Sequence, residues 1–346
     1  MPHPDTRLSD LTTLRLGGPA GELVEARTDD QLVDAVASAD AAGIPVLLVA
    51  GGSNLVVADD GFEGRVVLVR TRGITVADDA SACAGATVTV AAGEPWDDLV
   101  AHAVASGWIG VEALSGIPGS TGATPVQNVG AYGQDVAQTI ASVRTWDREA
   151  RTIRTLAAAD CGFGYRHSRF KAEPHRFVVL SVTFQLLLGD LGAPVAYGEL
   201  ARRLGVEVGQ RAPTAAVRDA VLALRRGKGM VLDADDPDTW SAGSFFTNPV
   251  LDAAQADALP DGAPRFAQPD GSVKTSAAWL IDHAGFERGH GTSAVSLSTK
   301  HVLAMTNRGS ATTVELLDLA REVRDGVEAA FGVRLVPEPS LINCEL

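Results

Sequence analysis

The chain has 346 residues, 46% of them apolar and 21% charged, a balance that excludes global disorder and leaves room for two or three domains, each with its own core. With 29 Lys and Arg against 43 Asp and Glu the formal charge is −14, and acidic pairs recur at Asp29-Asp30, Asp59-Asp60, Asp97-Asp98 and Asp235-Asp236. Such a field repels nucleic acid and anionic lipid, so any anionic ligand must be held by a local basic cluster or by backbone N–H groups.

Glu22 to Arg27 reads as a strand. Thr28 then caps a helix with Leu32, Val33 and Val36 on one face, which ends at Gly43, and Pro45 to Ala50 is a short apolar run, giving a β-α-β unit. Gly51-Gly52-Ser53-Asn54-Leu55 follows, where two residues without Cβ allow close backbone approach to an anion, or simply a tight turn between strands. It is not G-x-G-x-x-G, and Val56-Val57 and Val66 to Val69 predict further strand directly behind it, which disfavours a Rossmann dinucleotide site. A second helix is predicted from Pro95, at the first helical position, through Trp96, Leu99, Val100 and Val104 to Gly107.

Between Gly116 and Gly133 the chain carries five Gly and two Pro, which cannot be a regular element, while the interleaved Ile, Val and Tyr argue against disorder. This stretch reads as a backbone-rich ligand cradle. Strands are predicted over 142–146, 152–156 and 177–186, and between the last two Arg166, His167, Arg169 and Lys171 interrupt the acidic trend. A domain boundary is placed near Pro213. Beyond it come a helix over Thr214 to Arg226, an acidic loop from Asp233 to Asp238, and a strand running into a turn over 243–249. Helices are predicted for Lys274 to Ala284 and Thr312 to Phe331, then extended chain over 334–342 with Glu338 between two prolines.

Three cysteines (Cys83, Cys161, Cys344) without C-x-x-C fit thiols in a reducing compartment, the first two in the core. Met1 to Asp10 is polar, and no apolar run reaches about 18 residues, so a soluble cytoplasmic protein with no membrane segment is expected. H-E-x-x-H, G-x-x-x-x-G-K-[ST], G-x-S-x-G and clustered Cys/His spacings are all absent from the sequence, which argues against metal or P-loop chemistry. What remains is two glycine-rich cradles, a hydroxyl at Ser244 beside Phe245 and Phe246, and the Glu338 carboxylate. Read alone, Ser244 is equally a structural serine and Glu338 an edge carboxylate.

Taken together, Thr13 to Gly18, Gly51 to Leu55, Ile117-Pro118-Gly119 through Gln127 to Gly133, Tyr165 to Lys171, Gly243 to Pro249, Ala278 to Asp282 and Pro337-Glu338 resemble, in order and over nearly the whole chain, the UDP-N-acetylenolpyruvoylglucosamine reductase (MurB) family, in its Tyr-loop-containing subtype. The resemblance implies an α+β protein: a two-subdomain FAD-binding fold of the vanillyl-alcohol-oxidase-like type plus an α+β substrate-binding domain. The expected boundaries are 1–70 and 71–213 for the FAD-binding subdomains, the second completed by 332–346, and 214–331 for the substrate domain. FAD is implied at Gly51, Gly52, Ser53, Asn54, Leu55, Ser115, Gly116, Ile117, Pro118, Gly119, Gly122, Gln127, Asn128, Gly130, Ala131, Tyr132 and Arg225. That agrees with reading both glycine-rich stretches as cradles, and it explains how an acidic chain holds a dianionic cofactor.

The implied reaction is reduction of FAD by NADPH, then of the enolpyruvyl ether of UDP-N-acetylglucosamine to the lactyl ether. Ser244 matches the proton donor, Arg166 the essential arginine that pairs with the carboxylate, and Glu338 the essential glutamate. Tyr165, Tyr197, Lys228, Asn248 and His301 fall at substrate-side positions, with Tyr197 closing over the diphosphate and His301 at a place where residue type varies. The chain departs from the pattern in a longer stretch between Lys228 and Ser244, and in Thr247, where a lysine is common. A monomer is expected. The alternatives are an FAD-dependent oxidase or dehydrogenase of a small hydroxy acid or phenol on the same fold, and a cofactor-free nucleotide-sugar-binding module.

Overall fold

Thr28 opens the first helix as a cap: its Oγ1 accepts the Gln31 N–H at 3.2 Å, and Asp29 and Asp30 occupy the first turn of Asp29–Ala41, where the helix dipole favours them. The computed structural model describes residues 6–77 and 85–346, so Cys83, expected in the core, lies outside the described residues. The chain divides into two units. The first comprises Gly21–Gly51 and Glu63–Gly227; the second comprises the described residues through Ala20, with Gly52–Phe62 and Lys228–Leu346.

In the first unit, Leu32, Ala35, Val36 and Ala39 bury one face of that helix in a core shared with Val67, Val69 and Leu180. The strands Ala20–Ala26 and Val46–Val49 flank this helix, as the expected β-α-β unit has them, but they are not neighbours in their sheet. Phe62–Val69 lies between them, parallel to Val46–Val49 with Val46 opposite Arg65. Its run Val66 to Val69 is buried throughout, as suits a central strand covered on both faces.

The larger sheet has the order Thr152–Ala157, Ile140–Asp147, Phe177–Leu188, Ala86–Ala91, Ile74–Val76. Along its central strand Leu180, Val182, Phe184 and Leu186 alternate with less buried residues, and Val182 and Phe184 face Val90 and Val88 across the ladder. The helix Trp96–Ala105 packs Trp96, Leu99, Val100 and Ala103 into the same core; Pro95 stands at its cap rather than in its first turn.

The helix Thr214–Gly227 buries Val217, Ala220 and Val221 against Ala113, Val195, Leu200 and Ala201. It thus belongs to the first unit instead of opening the substrate domain. Its partner face comes from the short helix Gly198–Leu204, which the Gly-, Pro- and Arg-containing composition of 189–213 hid from sequence reading. Cys161 is buried as expected, and burial pushes its thiol up to about 11.

In the second unit Thr312 and Glu315 form a capping box for Thr313–Phe331, whose Leu316, Leu319, Ala320, Val323 and Val327 enter the core. The helix Ala277–His283 starts later than predicted, because Val273–Lys274 is spent as the strand between Val250–Leu251 and Phe266–Ala267. Leu55–Val57 is a strand, as expected behind the Gly51-Gly52 pair. It pairs in parallel with Ser340–Ile342, while Thr313 donates its hydroxyl to the Val57 carbonyl at 2.6 Å. Residues 332–346, expected to complete the 71–213 subdomain, are therefore built into the second unit by that ladder. Among the described residues no helix is long and apolar enough to cross a membrane.

Candidate active site

In the first unit the two glycine-rich loops meet backbone to backbone. A Cβ placed on Gly51 would stand 2.6 Å from the Cα of Gly119, an approach that glycine at 51 permits. Several groups of the second loop are used internally: the Gly116 N–H donates to Asp97 Oδ1 at 2.6 Å, the Gly122 N–H to the Ala92 carbonyl at 2.8 Å, and the Ser115 hydroxyl to the Glu112 carbonyl at 2.7 Å. Ile117 packs against the core of this unit. By contrast, the buried hydroxyls of Ser120 and Thr121 have no partner among the described residues. Sequence reading passed over both; the available signal was a Ser-Thr pair framed by Gly119 and Gly122.

Arg166 is held by a latch. Gly164 and His167 exchange backbone hydrogen bonds at 3.0 and 3.3 Å across a two-residue turn, Tyr165-Arg166. Four hydrogen bonds fasten that turn to the loop before it: Asn128 Nδ2 donates to the Gly164 carbonyl at 3.1 Å, the Arg166 Nη1 and Nη2 groups donate to the Asn128 and Gly130 carbonyls at 3.3 and 2.9 Å, and Ser168 Oγ donates to the Val126 carbonyl at 2.5 Å. Asn128 Oδ1 also accepts the Ala137 N–H at 3.0 Å. The guanidinium lies 5.7 Å from the Tyr165 ring, which is exposed. Of the six described non-glycine residues with positive φ, three fall in these segments: Asn128 (46°), Tyr132 (50°) and Arg166 (50°). Left-handed backbone held against its preference is a recurrent mark of functional loops.

Gly130-Ala131 pairs with Gln134-Asp135, so Tyr132-Gly133 is a two-residue hairpin tip with both φ positive. The Tyr132 ring meets that of Tyr197 edge to face at 5.5 Å; Tyr197 itself is exposed. Burial pushes the Tyr132 phenol up to about 12 and pulls the Arg225 guanidinium down to about 10, although Tyr132 and Asp97 oppose that fall.

Asp97 links this group to the cradle. Its carboxylate accepts Arg218 Nη1 and Nη2 at 2.7 and 2.8 Å as well as the Gly116 N–H. Burial opposes its ionisation, yet the Arg218 and Gly116 donors hold it below the usual range. A depressed aspartate contributes stability above its unfolded value of about 4 and loses it as pH falls through the folded value. Asp97→Asn is accordingly expected to flatten the decline of the thermal midpoint below about pH 4, measured by calorimetry across pH; a decline as steep as in the unsubstituted chain contradicts this role.

The second unit builds its own group through a ladder of short backbone contacts. Ser244 bridges Ala304, the Phe245 N–H donates to the Leu303 carbonyl at 2.7 Å, and the Phe245 carbonyl accepts the Glu338 N–H at 2.8 Å. The Glu338 carbonyl accepts Asn54 Nδ2 at 3.4 Å, and the Asn54 carbonyl accepts the Ser340 N–H at 2.9 Å. Ser244 and Glu338 thus lie on adjacent strands, with Asn54 next in line and His301 in the turn that returns to Ala304. Phe245 and Phe246 point into the core of this unit, their rings 5.2 Å apart, and Ser244 is half-buried at its edge.

Gly52, at φ +60°, lets the Leu11 carbonyl come so close that a Cβ would stand 1.9 Å from its oxygen; its own carbonyl accepts the Thr13 N–H at 3.1 Å. Asn248 Oδ1 accepts the Ala277 N–H at 3.0 Å, which ties it to the following helix. Lys228 precedes Gly229, whose backbone lies against the Asp238 carbonyl. The acidic loop is itself a built element: Asp238 accepts the Thr299 N–H and Arg308 Nη1 at 2.9 and 2.7 Å, and Lys300 pairs with Asp236.

Residues 235–342 match the family model described as UDP-N-acetylenolpyruvoylglucosamine reductase, C-terminal domain, and residues 21–156 match an FAD binding domain model. The UDP-N-acetylenolpyruvoylglucosamine reductase of Cutibacterium acnes is 58% identical over 345 residues, covering 99% of this chain and 90% of that one. The enzyme of the same name from Salinispora arenicola is 57% identical over 355 residues, covering 99% and 97%. The crystal structure of the Thermus caldophilus enzyme superposes with a TM-score of 0.65 at 24% identity, covering 97% of each chain, and so shares the fold. With more than half of its residues unchanged along almost its full length in such relatives, the chain belongs to the UDP-N-acetylenolpyruvoylglucosamine reductase family.

Proposed function

We infer that the chain reduces the enolpyruvyl ether of UDP-N-acetylglucosamine to UDP-N-acetylmuramate, with NADPH as hydride donor and FAD as cofactor, in the synthesis of peptidoglycan precursors. The observation that carries this is identity of 58% and 57% to relatives of that name, spanning 99% of the chain. Residues of the first unit fit FAD. The Gly51 and Gly119 loops meet as bare backbone, and the buried Ser120 and Thr121 hydroxyls supply polar groups where the protein provides no partner among the described residues. When bound, FAD supplies the redox centre that couples oxidation of NADPH to reduction of the carbon–carbon double bond.

The chain's own residues have separate tasks. Hydride addition at C3 of the enolpyruvyl group leaves negative charge at C2, delocalised into the carboxylate. Arg166, with two N–H groups fixed on the Asn128 and Gly130 carbonyls, offers a guanidinium of set orientation, which suits it to stabilise that charge without reorganising. Ser244 delivers the proton to C2. A serine is a weak acid, so its position must be exact to within bonding distance and its partner strongly basic; backbone bonds on both sides of its neighbour Phe245 meet the first need. Glu338, on the next strand, polarises the same region. Tyr165, Tyr197, Lys228, Asn248 and His301 are assigned to the nucleotide sugar, Tyr197 to its diphosphate as in the Tyr-loop-containing subtype. The free thiols of Cys161 and Cys344 support a reducing compartment, in keeping with a cytoplasmic enzyme.

Purified protein is expected to be yellow, to bleach anaerobically with NADPH, and to regain its colour when the enolpyruvyl nucleotide is added. A chain that stays colourless after incubation with FAD, or whose bleached form is reoxidised by oxygen but not by the nucleotide, contradicts the assignment.

A further inference from the structure

Glu112 is a fully buried carboxylate. Its Oε2 accepts the Gly110 N–H at 2.7 Å, while Oε1 accepts two donors, the Ala193 N–H at 2.6 Å and Gln134 Nε2 at 3.0 Å. All three donors are neutral, so hydrogen bonds alone offset the burial of this group. Gln134 accepts the Ala113 N–H at 2.8 Å through its own oxygen, which sets the amide orientation. A Cβ on Gly192, just before Ala193, would stand 2.6 Å from Oε1, so the loop reaches the carboxylate only because it arrives there as bare backbone.

The two donors on Oε1 each lead to a tyrosine. Gln134 pairs with Ala131 in the hairpin whose tip is Tyr132-Gly133. Ala193 lies in the segment that ends at Tyr197, a segment pinned further by the Gly192 N–H on the Ala212 carbonyl and the Val195 N–H on the Gln210 carbonyl, each at 2.8 Å. The two tips touch: besides the ring contact of Tyr132 and Tyr197, a Cβ on Gly133 would stand 2.6 Å from that of Ala196. We propose that Glu112 is a positioning residue for substrate binding. Through one oxygen it joins the Tyr197 segment to the Tyr132 hairpin and so sets where Tyr197 waits for the diphosphate of the nucleotide sugar. This rests on the reading of Tyr197 as a substrate-binding residue.

Glu112→Gln keeps the shape but offers one oxygen where two accept, which sets N–H against N–H on one edge. In FAD-loaded protein the measurements are flavin reduction by NADPH, KM and kcat for the enolpyruvyl nucleotide, and hydrogen exchange over 191–198. The expected pattern is KM raised about tenfold, kcat and flavin reduction within about twofold, and faster exchange at 193–197. Gly192→Ala presses on Oε1 from the loop side and is expected to reproduce the pattern, which keeps the test open if the Glu112 variant does not fold. Tyr197→Phe is the reference. If it raises KM while the other two variants do not, the inference is overturned and the reading of Tyr197 stands. If it leaves KM unchanged, that reading falls and takes the inference with it. Equal losses in KM, kcat and flavin reduction make Glu112 a packing residue and likewise overturn the proposal.

Discussion

Replacing Ser244 by alanine is expected to leave flavin reduction by NADPH intact while slowing reoxidation by the enolpyruvyl nucleotide by roughly 10² to 10⁴, the range general acid catalysis supplies. The split follows from the chemistry, because the first half-reaction moves a hydride between two cofactors and needs no proton at C2. Structure supports a clean test. Ser244 is half-buried at the edge of a ladder held by backbone bonds, and Phe245 beside it keeps its Leu303 and Glu338 contacts whatever side chain stands at 244. Stopped-flow absorbance of each half-reaction decides the matter: equal loss in both contradicts the proton-donor role, and so does no loss in the second.

Gly51→Ala is the second large effect. The added methyl meets the Cα of Gly119 at 2.6 Å, backbone against backbone, so neither side yields by turning a rotamer and the two loops must part. Overpacking of this kind costs about 1 to 3 kcal/mol, or roughly five- to 150-fold in affinity if it falls on the holo form. Apoprotein titrated with FAD by flavin fluorescence is expected to show that loss, and Gly227→Ala, whose methyl meets open space, is expected to bind as the unsubstituted chain does. Equal affinities for the two variants remove the loops' contact from the account of cofactor binding.

Local signals carried much of the fold. The Thr28 cap, the alternation over Phe177–Leu188 and the capped helix Thr313–Phe331 each follow from residues close in sequence. What escaped depends on partners far away. The insertion of Phe62–Val69 between Ala20–Ala26 and Val46–Val49 is a pairing choice that periodicity does not encode, and the burial of Glu112 depends on Ala193, 81 residues on. The same division holds for the candidate site. Gly51, Gly119 and Asn128 stand out by residue type, because positive φ and close approach demand it, whereas Asp97 and Ser120 look like ordinary surface residues until their neighbours are known.

The ladder that carries Glu338 joins it to Asn54, 284 residues earlier in the chain. During synthesis on the ribosome, Leu55–Val57 must therefore wait for its parallel partner until Ser340–Ile342 emerges, and Glu338 is joined to Asn54 only then. A nascent chain arrested anywhere before Ser340 would offer an open strand edge at Leu55–Val57, so truncation ahead of that strand should send the protein to aggregates or to proteolysis rather than to a slower catalyst.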